Sequence, residues 1–511
     1  MTTDNTSMSP TPSFDKNGRI AFGVLCLMFV GFGIAGVDFG RHWDEPKLLR
    51  SVDRAFDSGV FLPGWYQYPS LTFWIGLAVK YAHALVHDGL QINLSFPLMW
   101  RSVMVIVTCF TGLWTYLLSL HLSEKRGVAL LATSIIFLSP ELLYHARWIA
   151  PDTLMMQFGI ASSLALYLST RSLAAYRKKL WQACLLAGFA CSAKYPGGLF
   201  IVPIVIVAMT RHAETLRWSV RLKHVSMGLL VFLLTLILLT PGMVIEARQF
   251  VQDVYSEIEH YRRGHSTYSV RPGLEHFWLN LRYLSLCLSP NQYIQFFGGV
   301  STMFGIILCV RKGYLPVVSV LAVPIAYLVY FSSQRVMIVR NLLVLLPFVA
   351  IFCAMGIHEC VERWANSRAT WGIIFTMGLL NVIHAHHSVS SLLQPKPVHE
   401  AISQYISQHP NTHFLPSFAF KDSPVAPKNE EVTWDGHQEV KVLFWSDQKP
   451  KPLWLTNQPN RYTVVAGPSD VNWSYYPSWL GSRRLLAVSL EDARAMNIRV
   501  PFHTVPSSQS K

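Results

Sequence analysis

Long apolar segments alternate with short polar ones over most of the chain. The apolar runs lie near residues 20–37, 70–87, 98–122, 127–145, 149–170, 180–193, 196–210, 224–243, 292–310, 314–332, 340–360 and 369–385. Most of them approach the roughly 20 residues that an α-helix needs to cross a bilayer. The run at 70–87 is interrupted by Lys80, His83 and His87, so we place it at the membrane interface. The pattern predicts an all-α polytopic membrane protein with about eleven transmembrane helices and interfacial helices in the first outer loop.

Lysine and arginine are concentrated in alternate loops. If the 70–87 run does not cross the membrane, the inner loops are the basic ones, at 123–126, 171–179, 211–223, 311–312 and 363–368. Cytoplasmic loops of membrane proteins carry an excess of these residues. The amino end is therefore predicted to lie inside, and everything from about residue 387 onward outside. The opposite assignment would place every basic cluster on the outer face.

The amino-terminal end of the chain is polar. Residues 1–18 are rich in Ser, Thr and Pro, which predicts a disordered cytoplasmic segment. The apolar run that follows extends from Ile20 to Val37, whereas a signal peptide has an apolar region of about 7–15 residues. We therefore interpret this run as a retained first helix, with a cleaved signal peptide as the alternative.

The carboxyl-terminal part of the chain has a different character. Residues 387–511 are polar and Pro-rich, with alternating apolar positions at 440–445 and 462–465 after a helix-like pattern at 398–408. Short alternating runs are typical of strands. We therefore predict a small extracytoplasmic α/β domain at 387–511, preceded by a transmembrane domain at 19–386.

Composition agrees with the membrane prediction. Hydrophobic residues make up 51% of the chain and charged residues 14%, against about 25% charged residues in an ordinary soluble protein. The net charge of +14 follows from the basic inner loops, and no dense basic run with interleaved aromatic residues indicates nucleic acid. The eight cysteines lie in or beside apolar segments and are interpreted as small buried side chains, without a disulfide or metal pattern.

Several polar motifs fall on the predicted outer face. Two adjacent carboxylates, Asp44 and Glu45, follow the first span, where carboxylates close to hydrocarbon are costly. An Asp-Glu-Pro sequence is also an ordinary helix start, with acidic residues favoured in the first turn. The other outer segments with polar residues are the turns 145–152 and 192–196, the loop 244–291 and the segment 332–340.

The order of these motifs resembles a known family. In chain order they are Asp44-Glu45, Tyr68-Pro-Ser-Leu71, Ser139-Pro140, Arg147 with Asp152 at the start of a span, and Lys194-Tyr195-Pro196. This order is similar to that of the integral-membrane glycosyltransferases of the GT-C fold, and within them to family 39, the protein O-mannosyltransferases and aminoarabinose transferases. The resemblance covers residues 19–385. Where the family often has His-Pro-Pro, this chain has Tyr68-Pro-Ser, so a histidine contact is lost.

The resemblance implies an inverting glycosyltransferase that takes a sugar from a polyprenyl-phosphate donor. The acceptor would be a glycan, lipid or protein of the cell envelope, and the reaction would occur on the extracytoplasmic face of a bacterial plasma membrane. Asp44 matches the family's first acid, the general base or acceptor-orienting group, and Asp152 matches the second. A carboxylate base suits the deprotonation of an attacking hydroxyl or amine.

Fixed positive charge is needed for the departing lipid phosphate. We expect it from single cations on the outer face, with other substrate contacts from residues beside them. The predicted substrate-binding residues are Glu45, Tyr68, Arg147, Lys194, Tyr195, Arg335 and Arg340. No cofactor is predicted to be obligatory; Asp44 and Asp152 together are compatible with a divalent cation, but no third ligand is evident.

Structural alternatives stay open for these residues. Arg147 is also interpretable as a structural partner of Asp152, and Lys194 as a side chain that extends to the interface. Arg335 and Arg340 are compatible with lipid-headgroup anchors, and Glu45 with a first-turn helix acid. For the whole chain, the alternative is a transporter or lipid-linked sugar flippase, which would favour ionisable residues near the bilayer midplane and an internal repeat.

Overall fold

A computed structural model gives the fold of the two parts of the chain. It describes residues 16–35, 37, 45–91, 94–171, 174–211, 217–264, 269–289, 292–364, 379, 382–383, 404–416, 439–446, 462–466 and 484–495. Two compact units are present: Met1–Val37 with Lys47–His386, and Asp38–Pro46 with His387–Lys511. The domain limits of the sequence analysis stay predictions.

The first unit is helical. Its α-helices are α1 (Lys16–Ala35), α2 (Glu45–Ser58), α3 (Leu71–Leu90), α4 (Phe96–Ser123), α5 (Arg126–Phe137), α6 (Pro140–His145), α7 (Asp152–Arg171), α8 (Tyr176–Ala193), α9 (Ile201–Thr210), α10 (Trp218–Leu239), α11 (Gly242–Ile245), α12 (Ala247–Arg263), α13 (Leu274–Leu288), α14 (Gln292–Val310), α15 (Tyr314–Ser332) and α16 (Leu346–Trp364). Two 3₁₀ helices, Tyr195–Phe200 and Val339–Leu345, lead directly into α9 and α16.

Six helices of the described residues are long and apolar enough to cross a membrane. They are α1, α4, α10, Tyr293–Val310 within α14, α15, and Val339–Arg363 around α16. The segments Arg126–Phe137 and Tyr195–Thr210 are apolar but shorter, and most of the run at 369–385 lies outside the described residues. The polytopic all-α prediction is confirmed, while the count of eleven spans stays a prediction.

The segment predicted as the first outer loop contains two helices, α2 and α3. In α2, Leu48, Val52 and Ala55 are buried, and their spacing places them on one face of the helix. The next helix, α3, covers the interrupted run at 70–87, and its Lys80 Nζ lies 2.8 Å from Asp53 Oδ1 of α2. The charge that interrupts the apolar run is therefore paired within the loop.

The core of the unit lies around α7, in which nearly every side chain is buried. This helix packs against α4, α8 and α15. A second close contact joins α14 and α16, where a Cβ on Gly305 would overlap the Phe352 carbonyl and one on Gly356 would overlap the Ser301 carbonyl. Small residues allow this approach of two backbones, as is typical of membrane helices.

The described part of the tail forms a four-stranded sheet. Its strands are β1 (Thr412–Pro416), β2 (Glu439–Ser446), β3 (Tyr462–Ala466) and β4 (Arg484–Ser489), followed by α17 (Leu490–Ala495). The strand order is β1-β2-β4-β3, with β1 and β2 parallel and β4 antiparallel to both neighbours. The predicted strands at 440–445 and 462–465 are confirmed as β2 and β3. All eight cysteines are free, and five of them are buried while Cys26, Cys109 and Cys360 are partly exposed.

Candidate active site

A buried ion pair joins the start of α7 to the end of α8. Asp152 is the first residue of α7, where the positive end of the helix dipole favours a carboxylate. Lys194 follows α8 in an extended conformation, just before the 3₁₀ helix that contains Pro196. Its Nζ donates to Asp152 Oδ1 at 2.7 Å and to Asn341 Oδ1 at 2.5 Å. Lys194 therefore points into the protein, and the alternative that it extends to the interface does not hold.

A second cation lies on the other side of Asp152. Arg340 belongs to the 3₁₀ helix before α16, and its Nε lies 3.8 Å from Asp152 Oδ2. Its Nη2 donates to the Tyr68 hydroxyl at 3.1 Å, and its guanidinium lies 5.9 Å from the centre of the Trp148 ring. Asp152, Lys194 and Arg340 are each at most 5% exposed. With ordinary ionisation, these three side chains together carry one net positive charge.

This three-residue charge cluster is connected to α12 through Asn341. The Asn341 Nδ2 donates to the Tyr261 hydroxyl at 2.9 Å, so the amide bridges Lys194 and α12. Burial above all, and next the Glu257 carboxylate, raise the pKa of the Tyr261 phenol. The phenol therefore stays protonated and keeps a hydrogen to donate.

A cavity of about 340 Å³ adjoins the charge cluster. Four segments line it: the loop before α3, the Lys194 turn with the following 3₁₀ helix, one face of α12, and the end of α15. The lining residues are Gln67, Tyr68, Lys194, Tyr195, Pro196, Gly198, Leu199, Val254, Glu257, Ile258, Tyr261, Tyr330 and Phe331. Five of these thirteen are aromatic, and the two charged ones are Lys194 and Glu257. Arg340 contacts this lining through Tyr68.

The loop before α3 is fixed against α12 by hydrogen bonds from Tyr66. Its backbone N–H donates to Asp253 Oδ2 at 2.7 Å, and its hydroxyl donates to Glu246 Oε2. Its carbonyl accepts a bond of 2.7 Å from the Tyr195 hydroxyl. A Cβ at Gly242 would overlap the Tyr66 ring, so this position requires glycine. The bonds of Tyr66 therefore connect the loop before α3 to α12 and to Tyr195, and all three of these parts line the cavity.

The structure brings together Asp152, Lys194, Tyr195, Arg340 and Tyr68 of the residues predicted from the sequence. Tyr195 and Tyr68 line the cavity with Lys194. Asp152 lies behind Lys194 and is 2% exposed. Its contacts with two cations make it a charge partner of the residues that face the cavity.

The other predicted site residues have different positions. Arg147 donates from Nε and Nη2 to the carbonyls of Gly33 and Phe32, at 3.1 and 2.9 Å, and so caps the last turn of α1. The Arg335 side chain is exposed, while its backbone N–H bonds the Tyr261 carbonyl at 3.1 Å. Glu45 is the buried first residue of α2.

Asp44 lies outside the described residues, so its role as the general base stays a prediction. The described residues contain no group of three or more His, Cys, Asp or Glu side chains arranged for a metal ion. Because Asp44 is not among them, the question of a divalent cation also stays open to experiment.

Three residues of the site were not selected from the sequence: Asn341, Tyr261 and Glu257. Asn341 directly follows Arg340, and the other two lie in the loop at 244–291 that the sequence analysis treated as a whole. A signal was present there, since Val254, Glu257, Ile258 and Tyr261 follow the spacing of one helix face. That spacing alone gives no reason to choose this face over the opposite one.

Comparison with known proteins agrees with this architecture. The chain matches the family model for dolichyl-phosphate-mannose-protein mannosyltransferase over residues 96–253. An uncharacterized protein of Aquifex aeolicus (strain VF5) is 27% identical over 221 residues, which are 42% of this chain and 40% of that protein. The match thus spans well under half the length of this relative.

Solved structures are similar over most of the chain. ArnT from Cupriavidus metallidurans, bound to undecaprenyl phosphate, has a TM-score of 0.53 and 14% identity, and the alignment covers 93% of this chain and 98% of ArnT. The fold is the GT-C fold. The oligosaccharyltransferase of Archaeoglobus fulgidus has a TM-score of 0.52 and 12% identity, over 78% of this chain and 59% of that one. The chain is a multi-pass integral membrane protein.

Proposed function

We propose that this protein is an inverting glycosyltransferase that moves a sugar from a polyprenyl-phosphate donor to an acceptor at the outer face of the membrane. One observation carries the proposal: two buried cations, Lys194 and Arg340, share a single carboxylate beside an aromatic cavity. The matching family model and the GT-C fold support it, since the ArnT structure contains undecaprenyl phosphate.

The charge of the cluster suits the leaving group of such a reaction. Asp152 neutralises one of its two cations, and the remaining positive charge favours an anion beside Lys194, whereas Glu257 gives the α12 wall of the cavity a carboxylate. A lipid phosphate departs as an anion and needs no proton, so fixed cations in a partly dry site stabilise the charge that develops as the bond to the sugar breaks. Lys194 supplies a point charge at the lining, and Arg340 donates a hydrogen bond to the hydroxyl of Tyr68, another lining residue.

Asp44 is the proposed base that accepts the proton of the attacking hydroxyl or amine. The acceptor attacks the anomeric carbon while the lipid phosphate leaves from the opposite side, which inverts the configuration. Asp152 is proposed to act through Lys194 and Arg340 as a positioning residue, because it is buried behind them. A buried carboxylate with two cationic partners is a poor acceptor for a substrate proton.

The proposed setting is the plasma membrane of a bacterium, with the cavity on the extracytoplasmic side. The basic loops at 171–179 and 211–223 support this orientation through the excess of cations expected inside. Most residues that line the cavity belong to predicted outer turns and loops, and the other four, Gly198, Leu199, Tyr330 and Phe331, lie at the ends of predicted spans next to those outer segments. The acceptor is proposed to be a glycan, lipid or protein of the cell envelope.

The proposal is tested by comparing Arg340→Ala with Arg363→Ala in purified protein. A charge-assisted contact is worth about 1.5–3 kcal/mol, or roughly ten- to a hundred-fold in affinity. We expect Arg340→Ala, which cancels the net positive charge of the cluster and removes the hydrogen bond to Tyr68, to weaken the binding of undecaprenyl phosphate by up to that factor, measured by titration in detergent. Arg363 is an exposed residue of α16 paired with Glu359, so its removal leaves binding unchanged. Equal affinity of both variants and the parent protein would contradict the proposed phosphate site.

A further inference from the structure

The cavity presents opposite charges on two of its walls. Lys194 belongs to the turn after α8, whereas Glu257 belongs to α12. The face of α12 toward the cavity consists of Val254, Glu257, Ile258 and Tyr261, at the spacing of one helix face. A molecule that fills this cavity therefore meets a cation on one wall and a carboxylate on another.

The position of Glu257 is set by its neighbours on α12. Asp253, one turn earlier, accepts the Tyr66 N–H at 2.7 Å, and Tyr261, one turn later, accepts a bond from Asn341 at 2.9 Å. Both bonds hold this face of the helix against the rest of the site. Glu257 lies between them in the sequence and on the same face, so its carboxylate is held at the cavity.

The remaining lining is suited to a sugar ring. Tyr68, Tyr195, Tyr261 and Tyr330 contribute aromatic rings to the lining, and aromatic rings are suited to pack against the apolar C–H faces of a pyranose or furanose. A volume of about 340 Å³ is at the small end of the range of ligand pockets, about 300–1,000 Å³, which suits one sugar phosphate.

We propose that this cavity holds the sugar phosphate of the donor, with the phosphate toward Lys194 and the sugar toward Glu257, and that Glu257 selects the sugar. An ionised carboxylate accepts hydrogen bonds only, so it favours a neutral or amino sugar that donates them. It disfavours a sugar acid, because two carboxylates would meet in a partly dry site. This inference rests on the proposed function.

The test compares Glu257→Gln and Glu257→Ala with Glu259→Gln. Glu259 belongs to the same helix but pairs with Arg263 at 2.9 Å and Arg262 at 3.6 Å, so its change controls for effects on α12 itself. The probes are bare undecaprenyl phosphate and three synthetic donors that carry a neutral hexose, an amino sugar or a uronic acid. Binding is measured for each, and thermal unfolding confirms that the variants are folded.

Glu257→Ala is expected to weaken the binding of the preferred neutral or amino-sugar donor roughly ten- to a hundred-fold. The binding of bare undecaprenyl phosphate should stay unchanged. In Glu257→Gln, the preference for neutral or amino-sugar donors over the uronic acid donor should become smaller or reverse. Glu259→Gln should leave both the donor affinity and this preference unchanged. Equal losses for bare and glycosylated lipid, or no loss with any donor, would overturn the inference while leaving the phosphate site intact. Failure of the proposed function is distinct, since the parent protein would then bind neither form.

Discussion

The two helices that meet at the site, α7 and α12, differ in almost every physical respect. Nearly all residues of α7 are buried, and Asp152 at its start has two cations as partners. Every residue of α12 keeps some exposure to solvent, and Val251 and Tyr255 are 63% exposed. The helix that organises charge is thus part of the core, whereas the helix that faces the proposed sugar lies at the surface.

This difference assigns different tasks to the two helices. A buried charge cluster changes only at a high cost in stability, so it suits the constant part of the chemistry, the lipid phosphate. A surface helix accepts substitutions cheaply, so it suits the part that distinguishes one substrate from another. The comparison predicts a large loss of stability from changes at the charge cluster. Changes on α12 are predicted to affect binding in a substrate-dependent way and to leave stability almost unchanged.

The largest effect is expected at neither helix but at Asp44, if it is the base. Asp44→Asn keeps shape but cannot accept a proton, and loss of a general base typically costs about 10²–10⁴ in rate. Glu45→Gln should have a much smaller effect, since Glu45 is the first-turn acid of α2. The assay is sugar transfer from a purified polyprenyl-phosphate donor, with donor binding measured in parallel.

Donor affinity should survive in Asp44→Asn, because Lys194 and Arg340 are unchanged. Activity close to that of the parent protein, or a larger loss in Glu45→Gln, would assign the proton transfer to another group. If Asp152→Asn alone abolished transfer without loss of stability, the base would belong to the buried helix and the contrast between the two helices would fail.

The next largest effect concerns stability. Asp152→Asn leaves Lys194 and Arg340 buried without their shared carboxylate, and removal of one member of a buried ion pair costs about 3–5 kcal/mol. We expect a clear decrease in the temperature of unfolding, measured with the tryptophan signal in detergent. Asp53→Asn serves as the control, since its pair with Lys80 is 45% exposed on the Asp53 side. Equal stability of both variants would show that the cluster is not a structural core.

The sequence predicted this charge cluster better than it predicted the cavity. Asp152 was selected because it matches the family's second acid, and Lys194 and Arg340 because they are single cations on the predicted outer face. Their mutual contacts required the fold, as did the separate position of Arg147 at the end of α1. Charge at a helix end is a local property, whereas its partner is set by how helices pack.

The missed residues illustrate the same limit. Glu257 and Tyr261 occupy an amphipathic helix whose two faces both contain charged and aromatic residues. The spacing of its apolar residues therefore indicates a helix but not the face that meets the cavity.

In the tail, β2 and β3 were predicted from their alternating pattern, whereas β1 and β4 were not. In β1 the apolar Phe414 and Leu415 are adjacent, and in β4 Leu485, Leu486, Ala487 and Val488 are consecutive, so neither strand alternates.

A smaller effect is expected at Tyr68, which lines the cavity and accepts a hydrogen bond from Arg340 of the charge cluster. Tyr68→Phe removes the hydroxyl that accepts the 3.1 Å bond from Arg340 and keeps the ring that lines the cavity. A single hydrogen bond contributes about 0.5–1.5 kcal/mol, so the affinity for undecaprenyl phosphate should fall by about two- to ten-fold. Tyr68→His is the informative partner variant, because imidazole can also accept a bond from Arg340 and should restore part of the loss. Unchanged binding in Tyr68→Phe would show that Arg340 keeps its position without this contact.

The smallest effect is expected on α12, at Asp253. Asp253→Asn keeps an oxygen that accepts the Tyr66 N–H but removes the charge of a half-buried carboxylate. Surface changes of this kind stay within about 0.5 kcal/mol of the parent stability. The local consequence should still be measurable, because the bond ties α12 to the loop before α3: hydrogen exchange of amides in 247–263 should become faster while that of α7 stays the same. A global loss of stability comparable with that of Asp152→Asn would mean that α12 belongs to the core, and the division of tasks between the two helices would have to be abandoned.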